Sequence, residues 1–164
     1  MQTEVVLSLG GNKGNREKLL FHAIESLNDF FQLLSVSKIY ETQAWGGVAK
    51  ANFLNQIAVI STAKKSDEVL EIIQKIESDL GRTREEPWGD RTMDIDMLYY
   101  GNQVIETEKL KVPHPFIAHR RFILVPLNEL LPDKKHPILN KTSARMLEEC
   151  VDANEVRLFK AEPL

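Results

Sequence analysis

Asp94 and Asp96 stand two residues apart inside the apolar run MDIDMLYY, and Arg82, Arg84 and Arg91 precede them within a dozen residues. On a β-strand, residues i and i+2 share a face about 7 Å apart along the chain. Both carboxylates then address one site, with Met93, Ile95 and Met97 on the other side. A charge turned toward packed surface is costly unless it is paired or bound to metal. Guanidinium groups offer forked donors that match phosphate oxygens. Metal-binding acids beside phosphate-binding arginines point to Mg²⁺–nucleotide chemistry. A D-x-D pair alone equally fits a half-exposed strand whose acids discourage edge-to-edge pairing. The local arginine cluster shifts the balance toward a site. Two aspartates are a poor all-protein cage for Mg²⁺, which keeps waters and takes phosphate oxygens, so the metal is expected chiefly as the metal–nucleotide complex.

The rest of the chain must position that stretch. Val5–Leu9 is a short β-type run ending at Gly10-Gly11-Asn12, and Asn15 is a plausible N-cap for the helix that follows. Leu20, Ala23, Ile24, Leu27, Phe30 and Phe31 recur at helical spacing and form its apolar face. A second strand is expected over residues 33–41 and a third over 53–62. In the third, Phe53, Asn55, Ile57 and Val59 share one face and Leu54, Ala58 and Ile60 the other, the pattern of a central strand covered on both sides. Ser66 is the expected cap of a second helix whose buried side is Val69, Ile72, Ile73, Ile76 and Leu80, with Gly81 at its end. The D-x-D run is the fourth strand. The order β-α-β-β-α-β predicts an α+β, ferredoxin-like core sheet with helices packed on it.

Beyond Gly101, two short extended pieces flank a charged turn, and Pro113-His114-Pro115 imposes a stiff extended passage. One or two short helices interrupted by Pro126 are expected over 116–131, a last helix from a Thr142 cap to Cys150, and an edge strand at Val156–Phe159. With 164 residues and no repeat or linker, one domain spanning 1–164 is expected. A net charge of −3 argues against general binding to nucleic acid or a membrane surface. A single cysteine, no signal-peptide pattern and no run of eighteen apolar residues predict a cytoplasmic protein.

Neither a Walker loop nor a dinucleotide fingerprint is present, and SLGGNKGN reads as a glycine-rich turn, so phosphate binding falls mainly to side chains. His114, on its stiff backbone with Arg120 and Arg121 close behind, is a candidate phosphate donor; alone it would be an incidental loop histidine. One of the two arginines is expected to serve an ordinary surface role. Trp45, Phe53, Trp88 and Phe122 are most simply packing residues, although two of them across a cleft would hold a flat heterocycle. Cys150 reads as a buried packing residue.

Taken together, FLNQ at 53–56, GRTR at 81–84, WGDRTMDIDMLYYG at 88–101 and VPHPFIAHRRFILVPL at 112–127 resemble the 6-hydroxymethyl-7,8-dihydropterin pyrophosphokinase family. LSLGGN and YET fit as well, so the likeness spans nearly the whole chain. The resemblance implies pyrophosphoryl transfer from ATP to the pterin alcohol, a step of folate biosynthesis, by a monomer. It implies two Mg²⁺ ions held by Asp94 and Asp96, and catalytic loop arginines Arg82 and Arg91. ATP would be contacted by Gln74, Glu77, Arg84, Trp88, His114 and Arg120. Asn55 would hydrogen-bond the pterin, Phe53 and Phe122 would stack on its faces, Thr42 would lie at the start of the pterin-side loop, and Trp45 would help cover the ligand. Gln43-Ala44-Trp45, Pro87, Asp90, Lys109 and Lys111 depart from the family pattern. These departures bear on loop closure, ATP affinity and turnover, and leave the metal and pterin positions untouched. Two other readings compete: a non-catalytic nucleotide- or RNA-binding module, which the missing RNP1 pattern disfavours, and a kinase transferring only the γ-phosphoryl group.

Overall fold

A computed structural model describes residues 1–43, 51–81 and 92–160. The chain runs β1 (Thr3–Gly11), α1 (Arg16–Phe30), β2 (Gln32–Val36), β3 (Ile39–Thr42), β4 (Phe53–Thr62), α2 (Ser66–Asp79) and β5 (Asp94–Tyr100). A two-stranded hairpin follows, β6 (Ile105–Glu106) with β7 (Lys111–Val112), then a 3-10 turn (Ile117–His119), α3 (Arg121–Leu130), α4 (Ser143–Glu149) and β8 (Val156–Lys160). The main sheet is ordered β5-β1-β4-β3-β8, with β2 also on β4, and every pairing within it is antiparallel. This is the expected ferredoxin-like order, extended by β8 on the β3 edge.

The sheet buries both faces. On one, Val5, Leu7 and Leu9 of β1 and Leu54, Ala58 and Ile60 of β4 pack with Leu20, Ala23, Ile24 and Leu27 of α1 and Val69, Ile73 and Ile76 of α2. On the other, Val6, Ile57, Val59, Leu98 and Tyr99 pack with Ile123, Leu124 and Leu127 of α3 and Met146 of α4. Apolar burial of this kind, worth about 25 cal/mol per Å², is what holds helices against a sheet. The two faces expected for β4 are those observed. Among the described residues, this second cluster takes in Ile57 and Val59 of β4 but not Phe53.

Several local expectations change. The second strand is broken in two because Ser37 competes with the ladder: its Oγ accepts from Ile57 N at 2.9 Å while Gln56 Nε2 donates to the Ser37 carbonyl at 2.9 Å. Gly10 and Gly11 belong to β1 rather than to the turn after it. Phe30 is exposed, and Phe31, just past the helix, is buried instead. Lys65, not Ser66, is the N-cap of α2, and Glu68 Oε1 accepts from the Lys65 N–H at 3.2 Å. Pro126 lies inside a continuous α3, where its missing N–H removes one backbone bond while burial of Ile123, Leu124 and Leu127 keeps the helix on the sheet. Cys150, the C-cap of α4, is only partly buried at the margin of the second cluster. The caps Asn15 and Thr142 are as expected, accepting from Lys18 N and Arg145 N.

Candidate active site

Gly10 lies opposite Asp94 of β5 on one side and Asn55 of β4 on the other, while Ser8 lies opposite Asp96 and Ile57. Tyr40 and Thr42 of β3 continue these rows opposite Asn55 and Phe53. One face of the sheet therefore carries, from edge to interior, two aspartates, a bare glycine, an asparagine and a partly buried phenylalanine. Asn55 is nearly fully buried, and its Nδ2 donates to Thr42 Oγ1 at 2.9 Å.

Because β5 is the sheet edge among the described residues, none of their strands pairs with its outward N–H groups. Glu77 of α2, only 3% exposed, supplies a partner: its Oε2 accepts from Ile95 N at 2.8 Å. Ile95 sits between the two aspartates, so this bond fixes the stretch of strand that carries them. A β-bulge at Leu98 then interrupts the β1–β5 register, and Leu98 and Tyr99 both join the second core. The Leu98 carbonyl accepts from His114 N at 2.9 Å, which draws the Pro113-His114-Pro115 passage up against β5.

Phe116 N donates to His114 Nδ1 at 3.1 Å, so the neutral ring carries its proton on Nε2. Burial, with Arg120 adding to it, pushes the His114 pKa down to about 4, against a smaller opposing pull from Asp94. The imidazole is thus a neutral donor at ordinary pH. Arg120 is drawn below its ordinary value by burial, and Asp96, Asp94 and Asp152 oppose that shift. Its guanidinium stays charged and is flanked by the rings of Phe116 at 4.6 Å and Phe122 at 5.7 Å. Gln74, Glu77, Asp94, Asp96 and His114 line one cleft of about 380 Å³, together with Glu108, Lys109 and Lys111 of the β6–β7 hairpin. Among the described residues, no group of three or more His, Cys, Asp or Glu side chains is placed to hold a metal ion. Two hard carboxylate donors whose shell must be completed by phosphate and water suit Mg²⁺.

The family model for 7,8-dihydro-6-hydroxymethylpterin-pyrophosphokinase (HPPK) matches residues 6–132. The chain belongs to this family. The pyrophosphokinase of Aquifex aeolicus is 42% identical over 137 residues, 84% of this chain and 86% of the relative. That of Bacillus subtilis is 43% identical over 132 residues, 79% of each chain. A solved structure of Plasmodium falciparum HPPK-DHPS with pteroate has a TM-score of 0.72 at 17% identity over 91% of this chain, which shows the fold; this chain spans 42% of that one. The HPPK reaction moves a pyrophosphoryl group from ATP to hydroxymethyldihydropterin in folate biosynthesis, and the chain is an ATP-dependent pyrophosphokinase.

In this HPPK chain the expected site residues fall into two neighbouring groups. Gln74, Glu77, Asp94, Asp96 and His114 meet in the cleft, with Arg120 electrostatically coupled to the aspartates. Thr42, Phe53 and Asn55 lie on β3 and β4, and Phe122 at the start of α3. Trp45, Arg82, Arg84, Trp88 and Arg91 lie outside the described residues. Arg121 is the arginine with a structural role, since its N–H and Nε bond the Asp152 carboxylate and carbonyl at 3.0 and 2.9 Å. Sequence reasoning did not single out Asn12 and Arg16. Asn12 Nδ2 donates to Ala51 O at 2.8 Å, and Arg16 Nη1 donates to Glu41 Oε2 at 2.7 Å and Asn52 O at 3.0 Å, pinning the chain on either side of residues 44–50. The asparagine of LGGN was visible, but its partner is 39 residues away. Among the described residues no helix is long and apolar enough to cross a membrane.

Two outcomes follow for the cleft. Glu77→Gln keeps an acceptor for the Ile95 N–H and retains most activity, whereas Glu77→Ala lowers kcat/KM for ATP and speeds hydrogen exchange at Ile95, read by NMR. Leaving one buried N–H unpaired costs about 1–3 kcal/mol. For pH, His114 binds its proton less readily folded than unfolded, so acid favours unfolding. Stability contributed by the neutral ring is present above pH 6.5 and lost as pH falls toward about 4. His136, also lowered by burial, acts in the same direction. Urea titrations of His114→Asn across that window show a shallower pH dependence than wild type, while the wild-type His114 ring titrates by NMR well below 6.5.

Proposed function

We propose that the cleft binds ATP as its complex with two Mg²⁺ ions held by Asp94 and Asp96, and that the adjoining strip over β1 and β4 binds 6-hydroxymethyl-7,8-dihydropterin. The observation that carries this reading is the register that sets Asp94, Gly10 and Asn55 side by side on one face. Strand spacing of about 4.8 Å separates the acids from the asparagine by about 10 Å, a span that suits a pterin ring at one end and a phosphate chain at the other. Asn55 offers a donor and an acceptor to the aminopyrimidinone edge, and Phe53 and Phe122 supply the apolar surface for the ring.

On the nucleotide side, Gln74 borders the cleft beside Glu77, and His114 Nε2–H and the Arg120 guanidinium donate to phosphate oxygens. Arg82, Arg84, Trp88 and Arg91 are proposed to complete the site over the phosphates, and Trp45 to cover the pterin. Mg²⁺ held by Asp94 and Asp96 would supply positive charge that offsets the charge developing on the transferring group. The hydroxymethyl oxygen attacks the β-phosphorus in line. The bond from that phosphorus to the bridging oxygen of the α-phosphate breaks, AMP leaves with the bridging oxygen, and the hydroxyl proton passes to solvent. Positioning and electrostatics carry the rate. The protein is proposed to act as a monomeric single domain in the cytoplasm.

The test is product identity. Wild-type protein incubated with ATP, Mg²⁺ and 6-hydroxymethyl-7,8-dihydropterin yields AMP and pterin diphosphate in equal amounts by chromatography. ADP in place of AMP would assign the chain to γ-phosphoryl transfer, and nucleotide binding without turnover would favour a binding module.

A further inference from the structure

Gly10 sits in the middle of the floor between Asp94 and Asn55, and its missing side chain has a spatial consequence. A Cβ built there would come within 2.9 Å of Asn55 Oδ1 and 3.3 Å of the Leu54 carbonyl. Neither neighbour can yield freely. The Leu54 carbonyl is backbone of the β1–β4 ladder, where Leu54 pairs with Gly11. The Asn55 carboxamide is only 4% exposed and is held through Nδ2 by Thr42 Oγ1, on a residue 6% exposed. With Thr42 fixing one end of the amide and the bare glycine receiving the other, Asn55 has one resting place. Gly10 lies within regular strand, where alanine suits the backbone better than glycine does. What glycine supplies here is room.

We infer that Gly10 and Thr42 are positioning residues for pterin selection. Gly10 leaves the space in which the Asn55 carboxamide lies across β1, and Thr42 holds it there, so that its remaining N–H and its Oδ1 face the aminopyrimidinone edge of the substrate. This deepens the functional reading above and rests on it. The glycine also keeps the floor toward Asp94 clear, so the hydroxymethyl arm approaches the phosphates without crossing a side chain. A methyl group at position 10 displaces the amide and weakens recognition of the pterin edge. The aspartate side of the site, on β5, keeps its own support from Glu77.

Binding of 6-hydroxymethylpterin, of its analogue lacking the 2-amino group, and of magnesium with α,β-methylene-ATP is measured on the full chain. Gly10→Ala is expected to weaken the pterin about tenfold and to erase the preference over the 2-deamino analogue. Affinity for the nucleotide analogue stays within about twofold, a change smaller than one hydrogen bond is worth. Thr42→Val reproduces the loss of preference, and Thr42→Ser, which keeps an acceptor, restores it. Unchanged pterin affinity and preference in Gly10→Ala would overturn the inference, as would equal loss of both ligands at an unchanged melting temperature. If Gly10→Ala does not fold, the Thr42 pair decides, and a preference intact in Thr42→Val overturns the inference. A wild-type chain that binds the nucleotide analogue but no pterin overturns the functional reading itself, and this inference with it.

Discussion

Asp94 and Asp96 repel each other across two residues of an edge strand, and the surroundings must hold them there against that repulsion and against partial burial. Glu77, itself buried and acidic, does not neutralise them; it fixes the backbone between them through Ile95 N. Positive charge comes from Arg120, whose guanidinium lies against the rings of Phe116 and Phe122 and is electrostatically coupled to both aspartates. His114, coupled to Asp94, is kept neutral and so adds a hydrogen-bond donor without adding charge. Glu108, Lys109 and Lys111 of the hairpin line the same cleft as the aspartates. A divalent cation accompanied by phosphate oxygens is chemically suited to such a place.

The fold makes that arrangement available by an asymmetry of its two faces. One is covered by α1 and α2, while the cluster under α3 and α4 takes in Ile57 and Val59 of β4 and stops short of Phe53. The bulge at Leu98 marks the boundary on β5, turning both Leu98 and Tyr99 toward the α3 side and offering the Leu98 carbonyl to His114. Packing and chemistry therefore divide a single strand between them.

Much of this was legible in the chain. The two faces of β4, the helix faces, the caps at Asn15 and Thr142 and the D-x-D strand all follow from periodicity and local hydrogen-bonding chemistry. Relations set by register and long-range contact were not. Glu77 and Ile95 meet across 18 residues, and Arg121 and Asp152 across 31. Ser37 looked like one more strand residue, yet its hydroxyl takes over a ladder bond and splits the strand. Gly10 looked like the start of a turn because a glycine pair follows an apolar run. Only the pairing of β1 with both β4 and β5 shows that it is a strand residue with Asn55 lying against it.

The central claim is that the aspartate pair on β5 recruits nucleotide through a divalent cation. Calorimetric titration of α,β-methylene-ATP into wild type, Asp94→Asn and Asp96→Asn, each over a range of Mg²⁺ concentrations, tests it most directly. Wild-type affinity should rise steeply with Mg²⁺, and each asparagine variant should lose most of that dependence while remaining folded. Nucleotide affinity in the wild type that ignores Mg²⁺, or a Mg²⁺ dependence undiminished in both variants, would contradict the account.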